Sequence, residues 1–169
     1  MSISLYTATV PVFRQMLLAL SDVLKKGEEH ARDRKFDPSI LLQARLSPDM
    51  LAMVRQVQIA CDFANSVAAR IAGIEVASYE DNEQTFAELQ QRIAKTVAML
   101  DGLTIKQFDG SEGKEIVLRP GTPKEKKLSG QAYVLAYGLP QFFFHVTTAY
   151  NLLRHNGVDI GKKDYMGSY

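Results

Sequence analysis

The sequence predicts an all-α chain, an up-down four-helix bundle with one small β-hairpin inserted between the third and fourth main helices. Three observations carry that prediction. Apolar residues recur at steps of three and four over four long segments, capping residues with Pro or Gly punctuate those segments, and the pattern turns strand-like at one place, residues 115–129. A length of 169 residues suits a single domain, 1–169, with a core large enough to need no covalent staples.

Each element has its own signal. From Tyr6 to Lys26, Val10, Phe13, Leu17, Leu20 and Leu24 share one face, Pro11 lies near the start, and Gly27 with the charged GEEHARDRK stretch is expected to loosen or end the helix. Asp37-Pro38 and Ser47-Pro48 each set a capping residue before a proline, so two helix starts are expected ten residues apart. The first is short. The second is expected to run from Pro48 to about Ala72, with Met50, Val54, Val57, Cys61, Ala64, Ala68 and Ile71 on its buried stripe and Gly73 as its stop. The third main helix starts between Asn82 and Thr85 and carries Phe86, Leu89, Ile93, Val97 and Leu100 on one face before Gly102. EIVLR, the turn-forming PGTP and KEKKLS then read as a hairpin, with Lys124, Lys126 and Lys127 protecting an exposed edge. Ser129-Gly130 opens the last main helix, Pro140 restarts or kinks it, and it continues to about His155, closed by Asn156-Gly157. The tail VDIGKKDYMGSY shows no clear period.

Composition narrows the function classes. The net charge of +1 gives no whole-molecule attraction to phosphate backbones or anionic lipid, so no nucleic-acid partner is expected. Uncharged apolar runs fall short of the roughly 20 residues a spanning helix needs, so no membrane partner is expected either. MSISLYTATVPVF lacks a basic stretch before a hydrophobic block, and a cytoplasmic location is the expectation. A single cysteine, Cys61, excludes an internal disulfide and any multi-cysteine zinc site. Phosphate-binding Gly-rich loops, the H-E-x-x-H pair and the nucleophile elbow are all absent. Glu28 with Glu29, and Asp159 with Asp164, sit in charged contexts that argue against a raised pKa.

FFFHVTTAYNLLRHNG followed by VDIGKKDYMG, with LSPDMLAMVRQVQIACDFA in the second main helix and EDNEQTFAELQQRIA in the third, resembles the domain-of-unknown-function family numbered one-nine-nine-three. That family is grouped with the DinB/YfiT-like four-helix bundles, and the resemblance covers nearly the whole chain. It implies a DinB-like bundle, whose better-known members are metal-dependent transferases or hydrolases using one histidine from the second helix and an H-x3-H pair from the fourth. Residues four apart share a helix face, so both rings of such a pair reach one cation. Setting Leu153, Arg154 and Gly157 on the family's leucine-arginine-glycine ending places His145 on the second histidine of the pair and Gln141 on the first. A glutamine amide is a weak ligand beside imidazole. The matching stretch of the second helix, VQIACDFAN, holds no histidine; Cys61 falls on its buried stripe, and Asp62 is read onto the opposite face, away from the bundle axis. The resemblance therefore implies a degenerate metal site.

The remaining candidates follow from their neighbours in the chain. His145, set among three phenylalanines, reads either as a core histidine hydrogen-bonded to Gln141, Thr148 or a water, or as part of a functional pocket. His155 suits the last helical turn, His30 a solvated surface, and Cys61 a small buried hydrophobe. Two classes of function remain. One is a module that binds a small molecule or pairs as a homodimer without a catalytic metal or other cofactor, with Gln141, His145 and Tyr150 near a semi-polar pocket. The alternative is a metal-dependent thiol transferase or hydrolase in which His145, with Cys61 or His30, holds zinc or nickel and activates a thiol or water.

Overall fold

The computed structural model describes residues 3–169. In chain order the elements are α1 (Leu5–Asp33), α2 (Ser39–Gln43), α3 (Met53–Ala72) and α4 (Phe86–Asp101), two short 3-10 turns (Ile105–Phe108 and Ser111–Gly113), strands β1 (Glu115–Leu118) and β2 (Lys126–Ser129), α5 (Gly130–Ala132), a π-helical turn (Tyr133–Gly138), α6 (Leu139–His155) and α7 (Lys162–Met166). The bundle is made by α1, α3, α4 and α6, with α3 packed against the other three. The hairpin stands between α4 and the last main helix, where the sequence predicts it, and among the described residues no helix is long and apolar enough to cross a membrane.

Local chemistry fixes several boundaries. Ser4 and Thr7 cap α1 reciprocally, each side chain accepting from the other's backbone N–H. Thr85 and Glu88 do the same for α4, and all five predicted stripe residues of that helix are buried. Gly73 ends α3 at φ 75°, a left-handed conformation that costs glycine nothing. In the hairpin, Ile116 pairs with Leu128 and Leu118 with Lys126; Ile116, Leu118 and Leu128 join the core, so only one face of the hairpin is solvated.

Three boundaries differ from the sequence reading, each for a tertiary reason. Helix α1 runs through Gly27 to Asp33, because Gly27 is a close-approach site: a Cβ there would lie 3.1 Å from Leu153 and 3.4 Å from Phe86. Helix α3 begins at Met53 rather than Pro48. Residues 47–50 close into a turn, with Ser47 bonding Asp49 and accepting from Met50 N, and Met53 N is held by Ala44 O, which leaves Met50 only half-buried. The tail is not irregular. Val158 and Ile160 are buried, α7 lies along α1, and Gln15 and Lys26 of α1 bond Met166 O and Asp164.

The last main helix is continuous but changes pitch. Ser129 caps α5, and the π turn lies immediately before Pro140, the residue unable to donate to the preceding turn. Within that turn Tyr133 is fully buried and Gly138 presses against Val67 of α3, where a Cβ would come within 2.7 Å of Cγ2.

Candidate functional site

Helix α3 carries polar groups on two seams, one toward α6 and one toward α4. At the α6 seam, His145 is 8% exposed and its Nδ1 lies 2.7 Å from Gln56 Oε1. Gln56 is itself oriented, since its Nε2 donates to Leu51 O at 3.0 Å. The amide oxygen therefore faces the ring, and Nδ1–H donates to it. Burial pushes the His145 pKa below the ordinary histidine value, so near pH 7 the ring is neutral and Nε2 carries the lone pair. The ring lies nearly parallel to Phe63 of α3 (centroids 6.0 Å apart, 14°) and meets Phe144 edge-on (5.2 Å, 88°). Among the described residues no protein group hydrogen-bonds Nε2, and it is not one of the fully enclosed, partnerless atoms. It keeps some solvent exposure and is free to accept.

The other sequence candidates scatter. Gln141, one helical turn before His145, lines a hollow of about 260 Å³ with Ala136, Tyr137, Pro140 and Phe144. Tyr150 does not join them; it packs edge-on to Tyr165 and lines a separate hollow with Thr147, Asn151 and Lys162. Thr148, a partner the sequence allows for His145, spends its hydroxyl on Phe144 O. Cys61 is fully buried beside Thr96 of α4, on a different side of α3 from His145, and burial pushes its thiol up to about 12. His30 lies edge-on to Phe36 and beside Gly157, which follows α6; ten residues of helix separate His145 from His155, roughly 15 Å. His155 is exposed in the last turn of α6.

His30 and His155 thus lie toward the C-terminal end of α6, whereas His145 lies about ten helical residues before it. Among the described residues no three His, Cys, Asp or Glu side chains gather in a group able to hold a metal ion. One imidazole, with Nδ1 committed to an amide and no second imidazole or thiolate beside it, does not fit the three-histidine donor set that the DinB resemblance implies.

At the α4 seam the chemistry is ionic. Arg92, its side chain 2% exposed, meets Asp62 at 2.6 Å, Asp81 at 3.0 Å and Glu83 at 2.9 Å, and bonds Glu80 O. Arg55 closes the group through Asp81 and Gln58, and the Tyr79 ring lies over both Arg92 and Lys95. Asp62 is thus not directed away from the bundle, as the helical spacing suggested; it stands under residues 74–85, the crossover from α3 to α4. Burial holds its carboxyl above the usual range despite Arg92, whereas Arg55 and Arg92 together outweigh burial at Asp81 and hold it below.

Sequence reasoning missed Gln56 and Arg92. Gln56 carried a signal, a long polar side chain at a position between the apolar Met53 and Ala60 on one helix face; Arg92, flanked at helical spacing by Glu88, Lys95 and Thr96 as well as Leu89, carried none.

Comparison with known proteins agrees with this fold. No curated protein matches the chain. A crystal structure of a DinB family member from Shewanella denitrificans is 40% identical, superposes with a TM-score of 0.92, and aligns over 98% of this chain and 93% of its own. The family described as Domain of unknown function (DUF1993) matches residues 5–166, and the chain belongs to that family, on a DinB-like bundle.

Proposed function

We propose that this protein binds a small molecule at the α3–α6 seam without a resident catalytic metal, His145 supplying a neutral Nε2 acceptor and Phe63, Phe144 and Gln141 the surrounding contacts. The observation that carries this reading is the relay Leu51 O, Gln56, His145, which orients the ring and fixes its tautomer by two hydrogen bonds. A ring held this way is preorganised to receive a donor N–H or O–H from a ligand. The apolar rim supports the reading too: Leu51 and Phe144 are 44% and 54% exposed, surface that a ligand's body would cover. The same rim is where a second copy would pair, which makes homodimerisation part of the proposal.

Elemental analysis of the purified, untagged protein tests the metal-free part, and backbone amide shift mapping with a library of small hydrogen-bond donors tests the rest. Sub-stoichiometric zinc, nickel and iron, a thermal midpoint unmoved by chelation, and ligand-induced shifts at Gln56, His145 and Phe144 are expected. Stoichiometric metal that disappears in His145→Ala would overturn the proposal in favour of the metal-dependent transferase or hydrolase.

A further inference from the structure

A second concavity shares the Phe63 ring with the His145 seam. Between α3, the hairpin and the π turn lies a cleft of about 740 Å³, within the size range of small-molecule sites. Its floor is aromatic. Phe63 meets Tyr137 edge-on at 5.8 Å, and Tyr137 is stacked on the fully buried Tyr133 at 5.8 Å and 24°. Its rim is cationic, with Arg70 from α3 and Arg119, Lys124 and Lys126 from the hairpin.

The charge at this rim is uncompensated. Among the described residues none of those four cations forms an ion pair, although the chain as a whole carries a net charge of only +1. The one acidic residue of the rim, Glu125, accepts from Gly121 N within its own turn at 2.8 Å. Lys127, pointing the other way along β2, does find an acidic partner in Glu115 at 3.6 Å, so the hairpin's two faces are treated differently. Edge protection needs only exposed charge, which all three lysines supply; what distinguishes Lys124 and Lys126 from Lys127 is that they face the cleft and, among the described residues, form no ion pair. Arg70 is preset, its Nη1 donating to the Tyr133 hydroxyl at 3.0 Å. Arg119 adopts φ 51°, a left-handed conformation unfavourable for a non-glycine residue, directly after β1 at the rim of the cleft.

We infer that this cleft binds a small organic anion with a flat apolar body, an aromatic or heteroaromatic carboxylate or phosphate, whose ring packs on Phe63 and Tyr137 while Arg70 and the hairpin cations meet its charged end. Flat rings gain from aromatic packing beyond area alone, and guanidinium matches both carboxylate and phosphate geometry. The cleft shares the Phe63 ring with the seam described above but takes its charge from Arg70 and the hairpin, so substitutions at Arg119, Lys124 and Lys126 test it without touching His145.

The test titrates the full-length protein with 2-naphthoate, 2-naphthyl phosphate and the neutral methyl ester of 2-naphthoate, followed by calorimetry and ligand-observed NMR. At least one anion should saturate at one per chain, and the ester should bind about tenfold more weakly or worse. Binding of the carboxylate alone, or of the phosphate alone, identifies which charged end the rim prefers. Arg119 and Lys126 are exposed, so R119E/K126E should leave the circular dichroism spectrum unchanged while weakening the anion about tenfold or more; Lys124→Glu, outside both strands, should act in the same direction. The inference is overturned if neither anion saturates at millimolar concentration, if the ester binds as well as the anions, or if R119E/K126E binds as the unaltered protein does.

Discussion

The two seams of α3 solve the burial of polar atoms in opposite ways. Toward α4, one guanidinium is closed in by three carboxylates and a carbonyl, with Arg55 balancing the excess negative charge. Toward α6, a neutral imidazole and a neutral amide share a single hydrogen bond, and the far nitrogen of the ring is left open. Charge that is fully paired is fixed in place, because breaking it leaves an uncompensated ion in low dielectric. A neutral pair costs little to bury and leaves an acceptor to spare. The ionic seam thus reads as a clasp holding the crossover 74–85 onto the bundle, and the neutral seam as a place where ligand chemistry has room. Even the clasp is not complete: among the described residues nothing hydrogen-bonds the buried Arg92 Nε, nor the Oδ1 of Asn65, whose Nδ2 donates to Ala77 O of the crossover.

The largest expected effect breaks the clasp. Arg92→Ala leaves Asp62, Asp81 and Glu83 without their shared cation and should cost about 3 kcal/mol, the low end for a broken buried pair because Asp62 and Asp81 keep solvent contact. Urea denaturation reads it, and limited proteolysis within 74–85 should speed up alongside. An unmoved midpoint would mean that the ion pairs contribute nothing and that apolar packing alone holds the crossover.

A smaller effect separates sterics from charge at the other seam. Gly138→Ala places a methyl 2.7 Å from Val67 Cγ2 and 3.1 Å from Cγ1, and a β-branched side chain on a helix has no second rotamer to offer, so a loss of about 1–3 kcal/mol is expected. Val67→Ala in the same chain should restore part of it. Simple additivity of the two losses in a double-mutant cycle would show that the π turn, not the Val67 contact, sets the spacing of α6 from α3.

Much of this architecture was legible because it is written locally. The Thr85 and Glu88 cap, the stripe of α4, the stop at Gly73 and the hairpin all depend on residues within a few positions of one another. What escaped depends on contacts far along the chain. Gly27 resembles a helix stop until Leu153 and Phe86 are seen against it, and the tail becomes a helix only when laid on α1. The site divides in the same way. His145 stands out among phenylalanines, but its partner lies 89 residues away, and nothing near either residue announces the pairing. Arg92 was legible as a charged residue on a helix and not as a buried one, since its acidic partners come from α3 and from a crossover without regular structure.

The smallest effect concerns pH, and it bears on the neutrality of the α6 seam. An unfolded histidine titrates near pH 6.5, and burial puts the folded value of His145 below that. Above the unfolded value both states are neutral and the ring contributes no pH dependence. As pH falls through it, the unfolded chain takes up a proton that the folded chain refuses, so stability drops until the folded pKa is passed and then levels off. The residues of the α4 seam include no histidine, so that region does not mimic the effect. Denaturant midpoints measured from pH 8 to pH 5 should therefore fall more steeply below pH 6.5 for the unaltered protein than for His145→Leu, by at most about 1.4 kcal/mol for each unit separating the two pKa values. Gln56→Leu sharpens the point, because Nδ1 then loses its acceptor while the ring stays buried, which costs about 1 kcal/mol at neutral pH. Parallel curves for His145→Leu and the unaltered protein would mean that the folded ring protonates as freely as an unfolded one, and the contrast between a charged seam and a neutral one would then be lost.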